Sequence, residues 1–165
     1  MRTSPTSTKP GSSSRRLREM VVEMLAASRR GHLGSALSLV DILAVLFDHV
    51  LRVDPADPAW PERDRFILSK GHGCLALYAA LADKGFLPPG EIDRVCRLGC
   101  SLGGHPEWGK VPGVEFSTGS LGHGLPVGVG FALNARVERS PTRVFVLVGD
   151  GECNEGSVWE AALMA

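Results

Sequence analysis

The sequence predicts an α/β fold, a parallel sheet flanked by helices, and three observations carry that prediction. After its first residue, Arg143–Val148 is a continuous apolar run, the pattern of a central strand covered on both faces. Phe66-Ile67-Leu68 is a shorter apolar run ending in Ser69-Lys70-Gly71, and it reads as a buried strand. Helical patterns fill the stretches before and between them, and strands separated by helices pair in parallel. A chain of 165 residues has room for one domain, and its 44% apolar content supports a core.

From the N-terminus, residues 1–14 are rich in Ser, Thr, Pro and Gly and are expected to form a disordered tail, leaving 15–165 as the domain. Leu17, Met20, Val21, Met24 and Leu25 recur at helical spacing. That helix should stop at Arg29-Arg30-Gly31, where basic side chains suit the dipole and glycine closes the end. Ser38-Leu39-Val40-Asp41 reads as a capping box opening a helix over 42–51. It is apolar nearly all round and so expected to be deeply buried, with His49 a core histidine. Leu75–Leu81 forms the next helix, and Pro88-Pro89 starts a short one reaching about Leu98. Residues 99–120 are Gly/Pro-rich and irregular, and Leu121–Val137 is helical with glycine crowded at its start. Ser157-Val158-Trp159-Glu160 reads as a second capping box, so a last helix begins there.

Charge excludes some functions. Lys+Arg and Asp+Glu both number 18, so no overall basic surface points to nucleic acid or a membrane. The apolar runs read as too short to cross a bilayer, and Met1–Ser14 has no apolar segment of the signal-peptide kind. Cys74, Cys96, Cys100 and Cys153 lack the paired spacing of a zinc site. Reduced thiols and a cytoplasmic location are the expectation.

The chemistry concentrates at glycines. His32, His72, His105 and His123, four of the five histidines, directly follow a glycine, against about 0.6 such pairs expected from composition. Glycine admits positive φ and close approach of backbone to a ligand, so these imidazoles should sit on tight loops. There they can donate to anionic oxygens and exchange protons near neutral pH. A second signal is the apolar run entering Gly149-Asp150-Gly151. Ligands of open parallel sheets bind outside the carboxyl ends of strands, and a lone carboxylate with phosphate oxygens suits Mg²⁺. The alternative for that triplet is a plain Asx-turn. A third is the glycine series from Gly119 to Gly130, which serves either phosphate at a helix N-terminus or close packing of two helices.

Together these motifs resemble the thiamin diphosphate-binding domain of the transketolases. The similarity lies in Arg30-Gly-His-Leu-Gly34, Asp64-Arg-Phe-Ile-Leu-Ser-Lys-Gly-His72, Gly104-His-Pro-Glu107, Ser117-Thr-Gly-Ser-Leu-Gly-His-Gly124 and Gly149-Asp-Gly-Glu-Cys-Asn-Glu-Gly156 running on to Ala161, in the family's order. The resemblance implies that His32, His72 and His105 line the substrate funnel, with His72 also reaching the cofactor diphosphate. It implies that Gly119, Ser120 and Leu121 meet the aminopyrimidine side. Asp150 corresponds to a Mg²⁺ ligand, Gly149 and Gly151 flank it at the diphosphate, and Glu155 is the acid of the Glu-Gly element. The family often has Pro at the positions of Leu33 and Ser120 and Gln at that of His123. Those departures resemble the two-subunit transketolases.

The implied reaction moves a two-carbon ketol unit between sugar phosphates, using thiamin diphosphate and Mg²⁺. The implied partners are a second copy of this chain and a pyrimidine-binding-domain subunit, with no nucleic acid and no membrane. A deoxyxylulose-phosphate synthase shares the cofactor, and a non-catalytic assembly subunit would keep the fold; both stay open. The domain reads as partial. The family's second Mg²⁺ ligand and its activating glutamate have no counterpart within the 165 residues, so the chain alone is expected to be inactive.

Overall fold

The computed structural model describes residues 12–165. Helix α1 (Ser12–Ser28) lays Leu17, Val21 and Met24, all at most 1% exposed, onto the core. It starts earlier than expected. Ser12–Ser14, assigned to the tail, are helical because the Ser13 and Ser14 hydroxyls bond the carboxylates of Asp48 and Asp41. The rest of the predicted tail, residues 1–11, lies outside the described residues. The chain leaves α1 through Arg29, which itself takes the left-handed conformation at φ +53°, with Gly31 at +137°.

Where one helix over 42–51 was expected, the helical segment starts earlier and is broken. α2 (Leu33–Leu37), α3 (Val40–Val45) and a wider π-type turn (Leu46–Val50) follow one another. The capping box at Ser38 does not form: Leu39 stands at the N-cap, the Ser38 hydroxyl donates to Ser35 O at 2.9 Å, and Asp41 pairs with Arg18 at 2.6 Å. Nor is the segment buried all round. Leu39, Val40, Leu43, Ala44 and Phe47 are buried, while Ile42 and Val45 are 48% and 54% exposed. His49, expected in the core, is exposed. Leu33–Val50 has a mean hydropathy of 1.7 and, against expectation, is long and apolar enough to cross a membrane. Its apolar stripe is spent on the core here.

β1 (Arg65–Leu68) and β2 (Val144–Leu147) pair in parallel, Arg65 opposite Val144 and Leu68 opposite Leu147. They form the sheet of the described residues. α4 (Cys74–Asp83) follows β1 and is the most enclosed helix, every residue from Cys74 to Leu81 being buried. In place of a helix reaching Leu98 there is one 3₁₀ turn, Glu91–Arg94. Cys96 at φ +57° and Gly99 at +78° end it, and Cys96 N–H donates to Leu102 O at 2.8 Å. α5 (Gly124–Val137) begins three residues later than expected and returns the chain to β2. Of β2, only Leu147 is buried; Val144, Phe145 and Val146 are half-buried, so the strand is not covered on both faces as predicted.

α6 (Gly156–Met164) closes the described chain. Its predicted capping box also fails: Glu155 is at the N-cap, and Ser157 Oγ donates to Gly122 O at 2.8 Å. The α5 glycines settle against the sheet. A Cβ on Gly128 would collide with Val146 of β2, and one on Gly124 with Ser69 after β1. The glycine series thus lets a helix close onto strands.

Candidate functional site

Three loops meet beyond the carboxyl ends of β1 and β2. His72 sits in the turn Gly71–Gly73 directly after β1, His32 stands at the N-terminus of α2, and His105 comes from the irregular stretch after α4. The His72 ring is 4.9 Å from both the His32 and the His105 rings, edge to face, and His32 and His105 are 6.1 Å apart. Glycine makes this closeness possible. Gly119 is at φ +151°, and a Cβ there would lie 2.9 Å from His105 Cδ2; a Cβ on Gly71 would lie 2.7 Å from the Thr118 carbonyl carbon.

His105 is held by its backbone and left open at its ring. The Tyr78 hydroxyl lies 2.8 Å from His105 O and 3.1 Å from Gly103 O, and Cys74 Sγ lies 3.2 Å from Gly104 O. Burial pushes the Tyr78 phenol up, out of reach of ionisation, and the Cys74 thiol up to about 12, so both remain protonated donors. His105 Nε2, by contrast, is buried with no hydrogen-bond partner. Burial first, and the neighbouring His72 and His32 second, lower the His105 pKa. At neutral pH its ring is the uncharged imidazole, able to accept or donate one proton.

Below the imidazoles lies a cleft of about 460 Å³ whose walls include His32, His72, Lys70, Leu121, Asp150 and Gly151. Asp150 is exposed, and its carboxylate forms no hydrogen bond or ion pair to the described residues. No group of three or more His, Cys, Asp or Glu poised around a metal occurs among those residues; Asp150 is a single carboxylate at the edge of an open space. Gly149 and Gly151 line the same wall. Gly119 lies beneath the His105 ring. Ser120 and Glu155, also predicted at the site, are exposed and outside the cleft lining. His123 stands apart and exposed, its Nδ1 2.9 Å from Leu121 O.

The feature that sequence reasoning missed is Glu152, 2% exposed. Its Oε1 accepts from Ser69 Oγ at 2.5 Å and Gly122 N–H at 2.9 Å, and its Oε2 accepts from Gly149 N–H at 2.9 Å. Ser69 Oγ accepts in turn from Gly124 N–H at 3.1 Å. One carboxylate therefore ties together the end of β1, the entry to α5 and the turn carrying Asp150. The available signal was its place within Gly149-Asp-Gly-Glu152, where an acid two residues after Asp150 had no stated task.

Residues 12–165 match the family described as transketolase, thiamine diphosphate binding domain. The 6-deoxy-6-sulfo-D-fructose transketolase subunit SqwG of Clostridium sp. (strain MSTE9) is 42% identical over 149 residues, 90% of this chain and 54% of that one. An apulose-4-phosphate transketolase subunit of Actinobacillus succinogenes is 47% identical over 148 residues, again 90% and 54%. This chain thus spans about half the length of each of these two relatives. The solved transketolase from Leishmania mexicana superposes with a TM-score of 0.87 at 32% identity, over 93% of this chain and 25% of that one. Motifs, fold and relatives agree: the chain belongs to the transketolase family and spans its thiamine diphosphate binding domain.

Proposed function

We propose that this chain is the diphosphate-binding subunit of a two-subunit, cytoplasmic transketolase that moves a two-carbon ketol unit between sugar phosphates with thiamin diphosphate and Mg²⁺. The observation that carries the reading is the trio of imidazoles, His72 lying 4.9 Å from each of the other two, with His105 Nε2 buried and unpartnered beside the His72 that lines the cleft of Asp150. A buried polar atom without a partner costs free energy unless a ligand satisfies it. The residues fit the cofactor. Glycines leave backbone open after both strands, and of the two carboxylates lining the cleft Glu152 is spent on hydrogen bonds while Asp150 is open; His32, His72 and Lys70 line the same cleft.

Asp150 would hold Mg²⁺, an ion that favours a carboxylate together with phosphate oxygens. His72, the central ring of the trio and part of the cleft lining, would donate to the diphosphate. Gly119, Ser120 and Leu121 would face the aminopyrimidine, and Glu155 the partner side of the site. When bound, thiamin diphosphate supplies a nucleophilic carbon and an electron sink. The chain's own contribution is to orient the sugar: His32 and His105 hydrogen-bond its hydroxyls and move a proton at the oxygen where charge develops. The relatives' names as transketolase subunits support assembly with a second copy of this chain and with a pyrimidine-binding-domain subunit.

Asp150→Ala in the assembled complex should abolish Mg²⁺-dependent binding of thiamin diphosphate with the melting temperature unchanged, because the Asp150 carboxylate bonds no other described residue. Calorimetric affinity equal to wild type would refute the assignment. The purified chain alone should show no ketol transfer, and turnover of xylulose 5-phosphate with an aldose phosphate by residues 1–165 would contradict the two-subunit reading.

A further inference from the structure

We infer that Tyr78 is a positioning residue for the proton-transferring imidazole: its buried hydroxyl, with the Cys74 thiol one turn earlier, holds the backbone of residues 103–105 so that the His105 ring stands against His72. The inference rests on the role of His105 proposed above and deepens it. Tyr78 is the one tyrosine of the 165 residues and is 0% exposed in the middle of α4. From Cys74 to Leu81 that helix is otherwise Ala, Leu and Cys, and a Phe would fill the same space. A buried hydroxyl in such surroundings costs free energy unless it is bonded. The acceptors it finds are carbonyls of the histidine loop.

The two donors divide three successive carbonyls between them. Cys74 and Tyr78 are four residues apart and so share one face of α4. Tyr78 Oη lies 2.8 Å from His105 O and 3.1 Å from Gly103 O, so its single proton is shared by two acceptors. Cys74 Sγ takes the carbonyl between them, Gly104 O at 3.2 Å. On its other side the loop is tied to residues 117 and 118. Trp108 N–H donates to Ser117 Oγ at 2.9 Å, and Thr118 N–H donates to Pro106 O at 3.2 Å. Held from both sides, the His105 ring has Gly119 beneath it, His72 edge-on at 4.9 Å, and a buried Nε2 with no partner. The titratable groups that face the ring are His72 and His32, while Glu107 of its own loop is paired with Lys110 at 2.6 Å. Burial keeps both clamp donors protonated, so the clamp does not release at neutral pH.

NMR titration of the full 165-residue chain tests this. Tyr78→Phe removes one oxygen and should free residues 103–105 from α4. Released from burial and from His72 and His32, the His105 ring should titrate with its midpoint raised toward the ordinary histidine value, with the signals of the exposed His123 unchanged. Loss of stability alone would not move that midpoint, and a midpoint equal to wild type in the folded variant overturns the inference. A second measurement needs no variant. The wild-type Tyr78 hydroxyl proton should give a slowly exchanging resonance with cross-relaxation to protons of residues 103–106, assignable because the chain has no other tyrosine. Absence of that resonance, or of those contacts, also overturns the inference. In the assembled enzyme Tyr78→Phe should lower kcat by about 10²-fold, the cost of an ångström-scale misplacement, with KM little changed; a loss confined to KM speaks against positioning. A wild-type assembly without ketol transfer would instead sink the function proposed above, and the ring titration would still decide the role of Tyr78.

Discussion

At the amino-terminal end of the paired strands the buried carboxylates Asp64 and Glu115 are saturated with partners, whereas at the carboxyl end the Asp150 carboxylate is left open. Asp64, 0% exposed just before β1, accepts from Arg52 N–H at 2.9 Å and Arg143 N–H at 3.1 Å. It also accepts from both guanidinium groups, at 2.8 Å and 2.5 Å. Glu115 is paired with Arg63 and Arg65 beside it. Past the far end of β1 the pattern inverts: Lys70 and Asp150 have no ionic partner and His105 Nε2 has no partner at all. The same two strands thus carry a closed network that fixes their register and an open one that awaits a ligand. For the carboxylates, saturation marks scaffold and open valence marks the site; Arg63 Nε, buried without a hydrogen-bond partner at the closed end, stands outside that contrast.

The largest effect should come from the open end. His32→Ala and His105→Ala in the assembled enzyme should lower turnover by about 10²- to 10⁴-fold, the usual cost of one proton transfer or transition-state hydrogen bond. Melting temperature should move little, since neither ring forms a hydrogen bond to the described residues and each loses only its edge-to-face contact with His72 and its contacts with its own loop. Normal turnover with early melting would reverse the comparison. The His105 ring also has a pH signature. Its pKa is lowered, so below about 6.5 the unfolded chain binds the proton that the folded chain refuses, and stability falls as pH drops through that window. An NMR titration of His105 should accordingly give a midpoint below the ordinary histidine value.

The closed end should answer in stability instead. Burial alone would raise the Asp64 pKa, but hydrogen bonds from Arg143 and Arg52 outweigh it and hold the carboxyl well below the usual range. Asp64→Asn leaves two arginines facing a neutral group. Both are half-exposed, so the cost lies at the low end for a broken buried pair, about 3 kcal/mol, or roughly 6–12 °C in melting temperature. The sign with pH follows from the depressed pKa: the Asp64 contribution is complete above about pH 4 and is lost as pH falls toward the folded value. Denaturation across that range should show wild type and Asp64→Asn converging under acid. Parallel curves would mean that the network contributes nothing.

Much of this contrast is legible in the sequence, for a physical reason. Strand runs and the α1 stripe follow from hydrophobic period, which is local, and so both strands and the parallel class were readable. The trio His32, His72 and His105 was readable because glycine before a histidine reports a backbone requirement at that position. Capping boxes failed at Ser38 and Ser157 because each hydroxyl was taken by a partner distant in sequence or off-pattern, Lys70 for one and Gly122 for the other. The burial of β2 and of the helix expected over 42–51 was overestimated because apolar composition reports what a chain would cover and not which neighbour covers it. Glu152 was missed for a related reason: its three donors come from Ser69, Gly122 and Gly149, two of them far away in the chain.

Glu152 sits where the comparison is sharpest, a saturated carboxylate two residues from the open one at Asp150. If saturation marks scaffold, then Glu152 is scaffold for the site, and its loss should loosen the turn without removing any group that touches a ligand. Glu152→Gln keeps size and one acceptor oxygen but presents an amide N–H₂ to either the Gly149 or the Gly122 and Ser69 donors. Donor then faces donor, and at least one buried N–H is left unpaired. That costs about 1–3 kcal/mol, the smallest of these stability effects. Amide hydrogen exchange gives the site-specific reading. Gly149 and Gly122 should exchange faster in the variant, while amides of β1 and α4 stay protected apart from the shift in global stability. Unchanged protection at both glycines would show that the three loops hold each other without this carboxylate, and would leave the order of the open end to the histidine loops themselves.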